Sequence, residues 1–564
     1  VKRLLTLAPR HNDVCDDRTV EVSHQNPIPI GRWKTSAIAR FLNEVFGADL
    51  RSLALFRIVL GFVILLDLAG RVTSLRAHYT DAGVLPRGIV LSTLNPWRWS
   101  ILLINGTMAF QAILFLFTAV AAVLLIVGYR SRLMVFIAWV MVISLQVRNP
   151  LLSSGADTLM RMLLFWAMFI PLGERWSLDS LRATGSARTK QTRALSFGTA
   201  GLFLQIAFMY WFTAILKSDP RWVSEGTALY YALAAGHVAR PYSDFLLQFP
   251  TLLRVLTHAT LLLEFVGPLL LFSPFFRNKT RTIAIAALMS LHIGIFLTLD
   301  VGLFPVAGAL CMVCFLPAWF WDNLLPRIEA ALPGITRHVK RYGTMVLQPI
   351  VRAFTVVERP TTASVPHQSN GLNELPLPKT KSDMNVLTAS WPGNLLAAFC
   401  LVFVLAWNIS TVTTLTPPRA SYPVAYGLAL YQRWNMFAPR PPSITQWYVV
   451  RGVLENGQEV NLLPPIVSND IELVVFFSWD ELQDINGSYF GDKYWRKYFA
   501  AIGKEGRSTE RLKFAAYTCR TWNNHYGGDV ALDRVQIFRL TQRTLLNGEE
   551  AEINRSLLDN FGCT

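Results

Sequence analysis

Long apolar runs separated by short polar or basic stretches fill the chain as far as residue 412, and beyond it the pattern changes. A helix needs about 20 apolar residues to cross a bilayer core. Nine runs qualify as candidate spans: 53–69, 108–128, 133–147, 159–172, 197–216, 252–272, 283–299, 301–321 and 395–412. The third and fourth are short, which predicts tilted, paired or only partly spanning helices. Residues 283–321 form one apolar run broken by Asp300, Gly302 and Pro305, and read as two helices joined by a tight turn at Asp300. After the last run, 446–454 and 459–463 alternate around Glu455-Asn456-Gly457. This is a hairpin signal, because Asn-Gly supplies the positive φ angles of a type I′ turn. Segments 471–479 and 535–540 read as further strands, and 493–502 and 510–522 have helical spacing. The pattern therefore predicts an all-α polytopic membrane bundle of about nine transmembrane helices with a small mixed α/β extracytoplasmic C-terminal domain.

Charge gives that bundle a direction. Arg32, Lys34, Arg40 and Arg51 precede the first span, and Arg130 and Arg132 follow the second. Arg175, Arg182, Arg188, Lys190 and Arg193 follow the fourth. Arg277, Lys279 and Arg281 follow the sixth, and Arg337, Lys340 and Arg341 the eighth. Every second loop is basic, as nine spans with a cytoplasmic N-terminus require. Loops 72–100, 148–158 and 217–250, the Asp300 turn and the tail then share the opposite face. The implied organisation is a basic cytoplasmic segment 1–50, a membrane domain 51–322, a partly disordered cytoplasmic linker 323–394 rich in Pro, Ser and Thr, the last helix 395–412, and an extracytoplasmic domain 413–564.

Composition agrees. Hydrophobic residues make up 52% of the chain and charged residues 16%, against about 25% for a chain whose whole surface is wet. The net charge of +16 raises nucleic acid as a partner, but from Thr413 onward 16 Lys/Arg face 16 Asp/Glu. The excess lies in membrane loops without interleaved aromatics, which excludes a nucleic-acid footprint. The expected partners are the lipid bilayer and a peptide or protein substrate. No metal site is expected. Six cysteines are too few for a disulfide scaffold. Cys311-Met-Val-Cys314 has redox spacing but sits deep in an apolar run, where two small core residues are the better reading. Cys519 and Cys563 are the only cysteines of the tail and pair if it lies in an oxidising compartment. The chain begins without the basic, apolar and small-residue regions of a cleavable signal, so its first span must direct insertion.

Ionisable residues inside spans are expensive and mark function by default. Here they are Arg57, Asp67, Arg161, Arg254, His258, Glu264 and His292. Fastening the bundle is the plainer role for Arg57 and Asp67. Glu264 must be neutral or paired, since a bare charge in apolar surroundings is costly. A hydrogen-bonded core histidine and a working one are equal readings of His292. Lys217 closes the apolar run Tyr-Trp-Phe-Thr-Ala-Ile-Leu-Lys-Ser-Asp-Pro-Arg-Trp, with Asp219 as its one adjacent counter-charge. Physics alone favours a lysine that snorkels to the interface. If the loop folds over it instead, desolvation favours the neutral amine and Lys217 becomes a usable base.

Several segments are similar to one family. Phe56-Arg57-Ile58-Val59-Leu60-Gly61, Asp67, Arg71 and Tyr79-Thr80-Asp81-Ala82-Gly83-Val84-Leu85-Pro86-Arg87 resemble the opening of the horizontally transferred transmembrane (HTTM) domain. Arg148-Asn149-Pro150-Leu151-Leu152-Ser153-Ser154-Gly155-Ala156-Asp157-Thr158 and Gly173-Glu174-Arg175-Trp176-Ser177-Leu178-Asp179 resemble it too, as does Tyr431-Gln432-Arg433-Trp434-Asn435-Met436-Phe437-Ala438-Pro439. The family includes vitamin K-dependent gamma-carboxylase, an enzyme that oxidises a quinol while carboxylating glutamate side chains. The resemblance implies a quinol as the cofactor, Lys217 in the place of the family's catalytic lysine, with Asp219 and Trp222 after it, and His292 on another family histidine. It also predicts one pocket for Lys217, His292 and the 148–158 loop, with Glu264 as a candidate partner. The chain departs from the carboxylases at Pro150, which stands where they carry a histidine, and in its shorter tail. Both argue against full gamma-carboxylase activity. Two classes of function stay open: a membrane enzyme acting on a quinol, lipid-soluble or peptide substrate with Lys217 as base, and a non-catalytic protein that binds, matures or exports a partner peptide.

Overall fold

The computed structural model of the chain describes residues 37–182, 191–331, 386–468, 470–479, 492–546 and 549–563. Most of the expected N-terminal segment (1–36) and of the linker (332–385) lies outside the described residues.

Helices dominate. In chain order, α1 is Leu50–Val72, α2 Met108–Val127, α3 Ser131–Arg148, α4 Gly155–Ala167, α5 Phe197–Leu216, α6 Pro250–Phe272, α7 Arg277–Thr298, α8 Phe304–Cys311 and α9 Trp391–Val412. Their ends follow from local chemistry. Asp49 caps α1 by accepting from the Arg51 amide at 2.8 Å. At the end of α2, Gly128 takes φ 73°, and its N–H returns to the carbonyls of Leu124 and Leu125. A Cβ there would stand 2.2 Å from Arg57 Nη1, so Gly128 also makes room for that buried cation. Arg57 in turn donates to the carbonyls of Leu172 (3.3 Å), Ile126 (3.2 Å) and Trp176 (2.5 Å). Its work is to fasten helix ends together.

Among the described residues, seven helices are long and apolar enough to cross a membrane, or eight if the bent pair Phe304–Phe315 and Phe320–Ala331 is one span. The nine expected spans shrink at two places. The fourth is α4, whose 13 residues rise only about 20 Å, short of a bilayer core of about 30 Å. Its face is nonetheless buried almost throughout, by protein rather than lipid. The eighth turns by 92° near Leu316-Pro317. Even so, α4 and the turns after it bring the chain back from the Asn149 end of α3 to its Ser131 end. There Asp179 accepts from the amides of Arg130 (2.7 Å) and Ser131 (2.8 Å).

Burial sorts the bundle. Within their apolar windows α3 and α5 are each 72% buried, whereas α6 and α7 are 28% and α9 22%. The first two form the core, and the last three present apolar faces outward, as lipid contact requires. A three-stranded sheet joins Ala48–Asp49, Arg193–Leu195 and Val386–Thr388, tying together the starts of α1, α5 and α9.

Among the described residues the tail is a five-stranded antiparallel sheet with two helices of ten residues or more and shorter helical turns. Strands β1 (Ile444–Leu454), β2 (Glu459–Asn461), β3 (Val475–Phe476), β4 (Leu532–Thr544) and β5 (Glu550–Gly562) lie in the order β3-β2-β1-β4-β5. Helices α10 (Lys493–Ile502) and α11 (Ser508–Asn523) match the spacing expected of them. The β1–β2 hairpin forms, but not with the expected type I′ turn, because Gly457 (φ 82°) is its one residue at positive φ. That is the pattern of a tight turn closed by a left-handed residue, the alternative three-residue hairpin. Cys519 on α11 and Cys563 after β5 are disulfide-bonded, with Cα atoms 5.5 Å apart.

The sheet region docks through α10. Tyr494 donates to Asp67 Oδ1 at 3.0 Å, and Arg496 donates to Asp300 Oδ2 at 2.6 Å. Ser74 donates to Asp492 at 3.1 Å, and His78 lies 4.5 Å from the Trp495 ring, centroid to centroid. The ends of α1, α7 and α8 therefore meet one helix of the tail.

Candidate functional site

Helix α5 ends at Lys217, whose N–H reaches only to Ala214 O (3.2 Å). Asp219 then caps the short helix Pro220–Val223, accepting from the Arg221 amide at 3.1 Å, with Pro220 in the first turn. This reversal lays Trp222 back over the helix end it has just left. The Lys217 amine sits 4.2 Å from the Trp222 ring centroid, and Trp222 Nε1 is held by the carbonyl of Phe437 at 3.0 Å. The Tyr431–Pro439 segment thus clamps the loop that covers Lys217.

Covered in this way, Lys217 does not snorkel. Its side chain is 4% exposed and turns into the bundle, where Nζ donates to Glu264 Oε1 (2.6 Å) and Oε2 (2.7 Å). Glu264 lies mid-way along α6, four residues before Pro268. Proline has no N–H to offer, so the Glu264 carbonyl lacks its helical donor and the helix is locally open at the acidic residue. His292 of α7 comes close by another route. Its Nε2 is 2.7 Å from the Tyr210 hydroxyl, and Tyr210 lies seven residues, two helical turns, before Lys217 on the same face of α5. The second ring nitrogen, Nδ1, is buried without a partner among the described residues. Gly308 of α8 makes the space, because a Cβ there would fall 2.3 Å from His292 Cε1.

These groups line one cavity of about 630 Å³. Lys217, Glu264, Tyr210 and His292 face it from α5, α6 and α7, and Ser154 and Gly155 from the 148–158 loop. Its other walls are mainly apolar, including Leu233, Leu256, Leu263, Ile295 and Phe304. Arg496, Lys497 and Ala500 of α10 close it from the sheet region. A mostly apolar hollow with a few convergent polar groups is the usual form of a small-molecule site.

The expected residues are not all brought together. Lys217, Glu264, His292 and part of the 148–158 loop share the cavity, but Asp219 is spent as a helix cap and does not line it. Pro150 opens a short helix, Pro150–Leu152, that follows the buried Asn149, and neither lines the cavity. Asp67 and Arg161 are structural partners: Asp67 with Arg71 (2.6 Å), and Arg161 with Gln146 Oε1 (3.1 Å) and the Tyr431 carbonyl (2.5 Å). Arg254 and His258 lie exposed on α6 beside Gly226. Cys311 and Cys314 are buried free thiols in the core. Tyr210 and Trp222 were legible as neighbours of Lys217 by spacing, yet their roles depend on contacts with α7 and with Phe437. His237 and Lys497 carried no local signal at all. Burial, followed by the charge of Arg496, pushes His237 down to about 4 and keeps it neutral at the cavity edge.

A helical bundle with apolar outward faces, an ion pair buried at a helix end and a sheet region closing the cavity define a polytopic membrane protein. Residues 47–319 match the family model of the HTTM domain. The chain carries that domain and is an HTTM domain protein. Neither a curated protein nor a solved structure matches it.

Proposed function

We propose that this protein is a membrane enzyme that takes a lipid-soluble acid, a quinol by family resemblance, into the cavity and removes its proton at Lys217. One observation carries the reading: the amine at the end of α5 is buried and paired with Glu264 inside an apolar hollow instead of lying in the interface. An ammonium and a carboxylate 2.6 Å apart differ from a neutral amine and a carboxylic acid by one proton moved between them. With that proton on Glu264, Lys217 is a base. The quinol O–H bond breaks, an N–H bond forms on Nζ, and the quinolate is left facing a new ammonium that stabilises it. Tyr210 and His292 offer a hydroxyl and a ring nitrogen to orient the substrate.

We also place the sheet region on the extracytoplasmic side, with nine crossings in all. The alternating basic loops support this, as does a disulfide in the tail, since such bonds persist in oxidising compartments. On this reading the membrane domain is 51–322, the linker 323–394, the last helix 395–412 and the tail domain 413–564. Pro150 has no side-chain proton to exchange, so the reaction is not full gamma-carboxylation of a peptide glutamate.

The test uses the full chain in lipid nanodiscs supplied with ubiquinol, menaquinol or vitamin K hydroquinone in air, where O2 takes two electrons from the quinolate to give quinone and hydrogen peroxide, with quinol loss followed by chromatography. Wild type and the exposed-site control Lys504→Met turn over equally, while Lys217→Met loses at least about 100-fold. A folded Lys217→Met that keeps full turnover overturns the role of the lysine. Wild type inert toward every quinol overturns the substrate, and leaves a protein that binds or matures a partner peptide as the reading to pursue.

A further inference from the structure

Lys497 of α10 faces the same cavity from the sheet region, and among the described residues neither it nor Lys493, one turn earlier, is paired with a carboxylate. Arg496 beside it is held by Asp300 at 2.6 Å. Asp157 is taken by Arg71 and by the hydroxyl and amide of Ser154 (2.6 and 2.7 Å). Asp67 is taken by Arg71 (2.6 Å) and Tyr494 (3.0 Å). Among the described residues no carboxylate lies within 4.0 Å of the Lys497 amine, and its nearest aromatic, Tyr494, is 6.0 Å away at the ring centroid. Burial, only partly offset by Asp157, pushes the amine down to about 8. An unpaired ammonium beside an apolar hollow is costly unless something else supplies the counter-charge. The Lys217–Glu264 pair at another wall is already neutral overall and does not supply it.

We propose that Lys497 anchors the head of an acidic amphiphile, holding its carboxylate or phosphate while the apolar part lies along Leu233, Leu263 and Ile295. The shape and charge of the cavity ask for such a ligand: one anionic end and an otherwise apolar body. The anchor comes from the tail, and the apolar wall from α6, α7 and the loop between α5 and α6, so the site is complete only when α10 is docked. The inference does not depend on Lys217 acting as a base. Its failure is separable from that of the quinol reading, because the acid preference is read by binding alone and the quinol reading by turnover.

The experiment is native mass spectrometry of the full chain, released from a neutral detergent and titrated with dodecanoate, dodecyl phosphate and dodecanol. Wild type binds an acid about ten-fold or more tightly than the alcohol, as a charge-assisted contact would give. Whichever acid binds more tightly, carboxylate or phosphate, identifies the source of the headgroup. Lys497→Gln removes the preference without weakening the alcohol, Lys497→Arg retains it, and Lys504→Gln changes nothing. Equal wild-type affinity for acid and alcohol overturns the proposal whether or not the variants fold. So does a folded Lys497→Gln that still prefers the acid.

Discussion

Lys217 and Glu264, 47 residues apart on neighbouring helices, meet so that both carboxylate oxygens lie within 2.7 Å of one amine. With side-chain exposures of 4% and 9%, neither charge has water to fall back on. Breaking a buried pair by removing one partner costs about 3–5 kcal/mol, because the other charge is stranded. Lys217→Met and Glu264→Gln each lower the thermal midpoint, and the double variant recovers most of the loss. Additive losses in that cycle would mean that the two side chains do not act as a pair.

Tyr210 and His292 form the second contact across the cavity, and Gly308 permits it. Gly308→Ala drives a methyl into the imidazole, at a cost of about 1–3 kcal/mol for overpacking. It breaks the 2.7 Å bond to Tyr210. We expect a lower midpoint and reduced quinol turnover. Tyr210→Phe loses turnover with a smaller change in stability, and a Gly308→Ala protein indistinguishable from wild type would show that the histidine has room to move.

His78 gives the docked tail a pH dependence. It is buried against Trp495 and Tyr498, and among the described residues both ring nitrogens are unpartnered. Burial, and after it the charge of Arg71, pushes it down to about 3 from 6.5. A histidine with a lowered folded pKa binds fewer protons than the unfolded chain. The stability this provides is whole above pH 6.5 and is lost as the pH falls toward 3. From pH 6.5 to 5 the loss is on the order of 1–2 kcal/mol. His78→Phe flattens that part of the stability–pH curve, measured by thermal unfolding. An unchanged slope would assign it to another group.

The disulfide reports the side of the membrane. Cys519 and Cys563 close a loop of sequence separation 44, worth on the order of 3–4 kcal/mol in the chain-entropy model. In membranes from intact cells the pair should resist maleimide until reduced, and protease outside should reach a reporter fused after Thr564. A tail that is reduced and protected would place the sheet region, and the cavity mouth with it, in the cytoplasm.

Local spacing was enough for some elements and insufficient for others. Lys493–Ile502 was readable because its apolar face is continuous. Glu550–Gly562 was missed because its charged and apolar residues do not alternate cleanly. It is a strand because β4 offers a full edge to pair with. The fourth expected span is the harder case, since α4 is a 13-residue apolar helix buried by its neighbours, with the composition of a span but less than its length.

Apolar runs of membrane length, basic residues in alternate loops and the run of motifs around Arg57, Asn149 and Lys217 are local properties, and they determined by themselves that this is a polytopic HTTM protein. Snorkelling or burial of Lys217 was a different kind of question. A lysine at a helix end has both options, and the balance is set by whether an acid is within reach below and a cover is available above. Glu264 supplies the first from another helix, and Trp222, pinned by Phe437 more than 200 residues away, supplies the second. The fate of Asp219 turned on one hydrogen bond to Arg221, and the exposure of Lys497 to the cavity on the docking of a separate region. Such outcomes depend on distances between residues far apart in the chain, which only the tertiary structure decided.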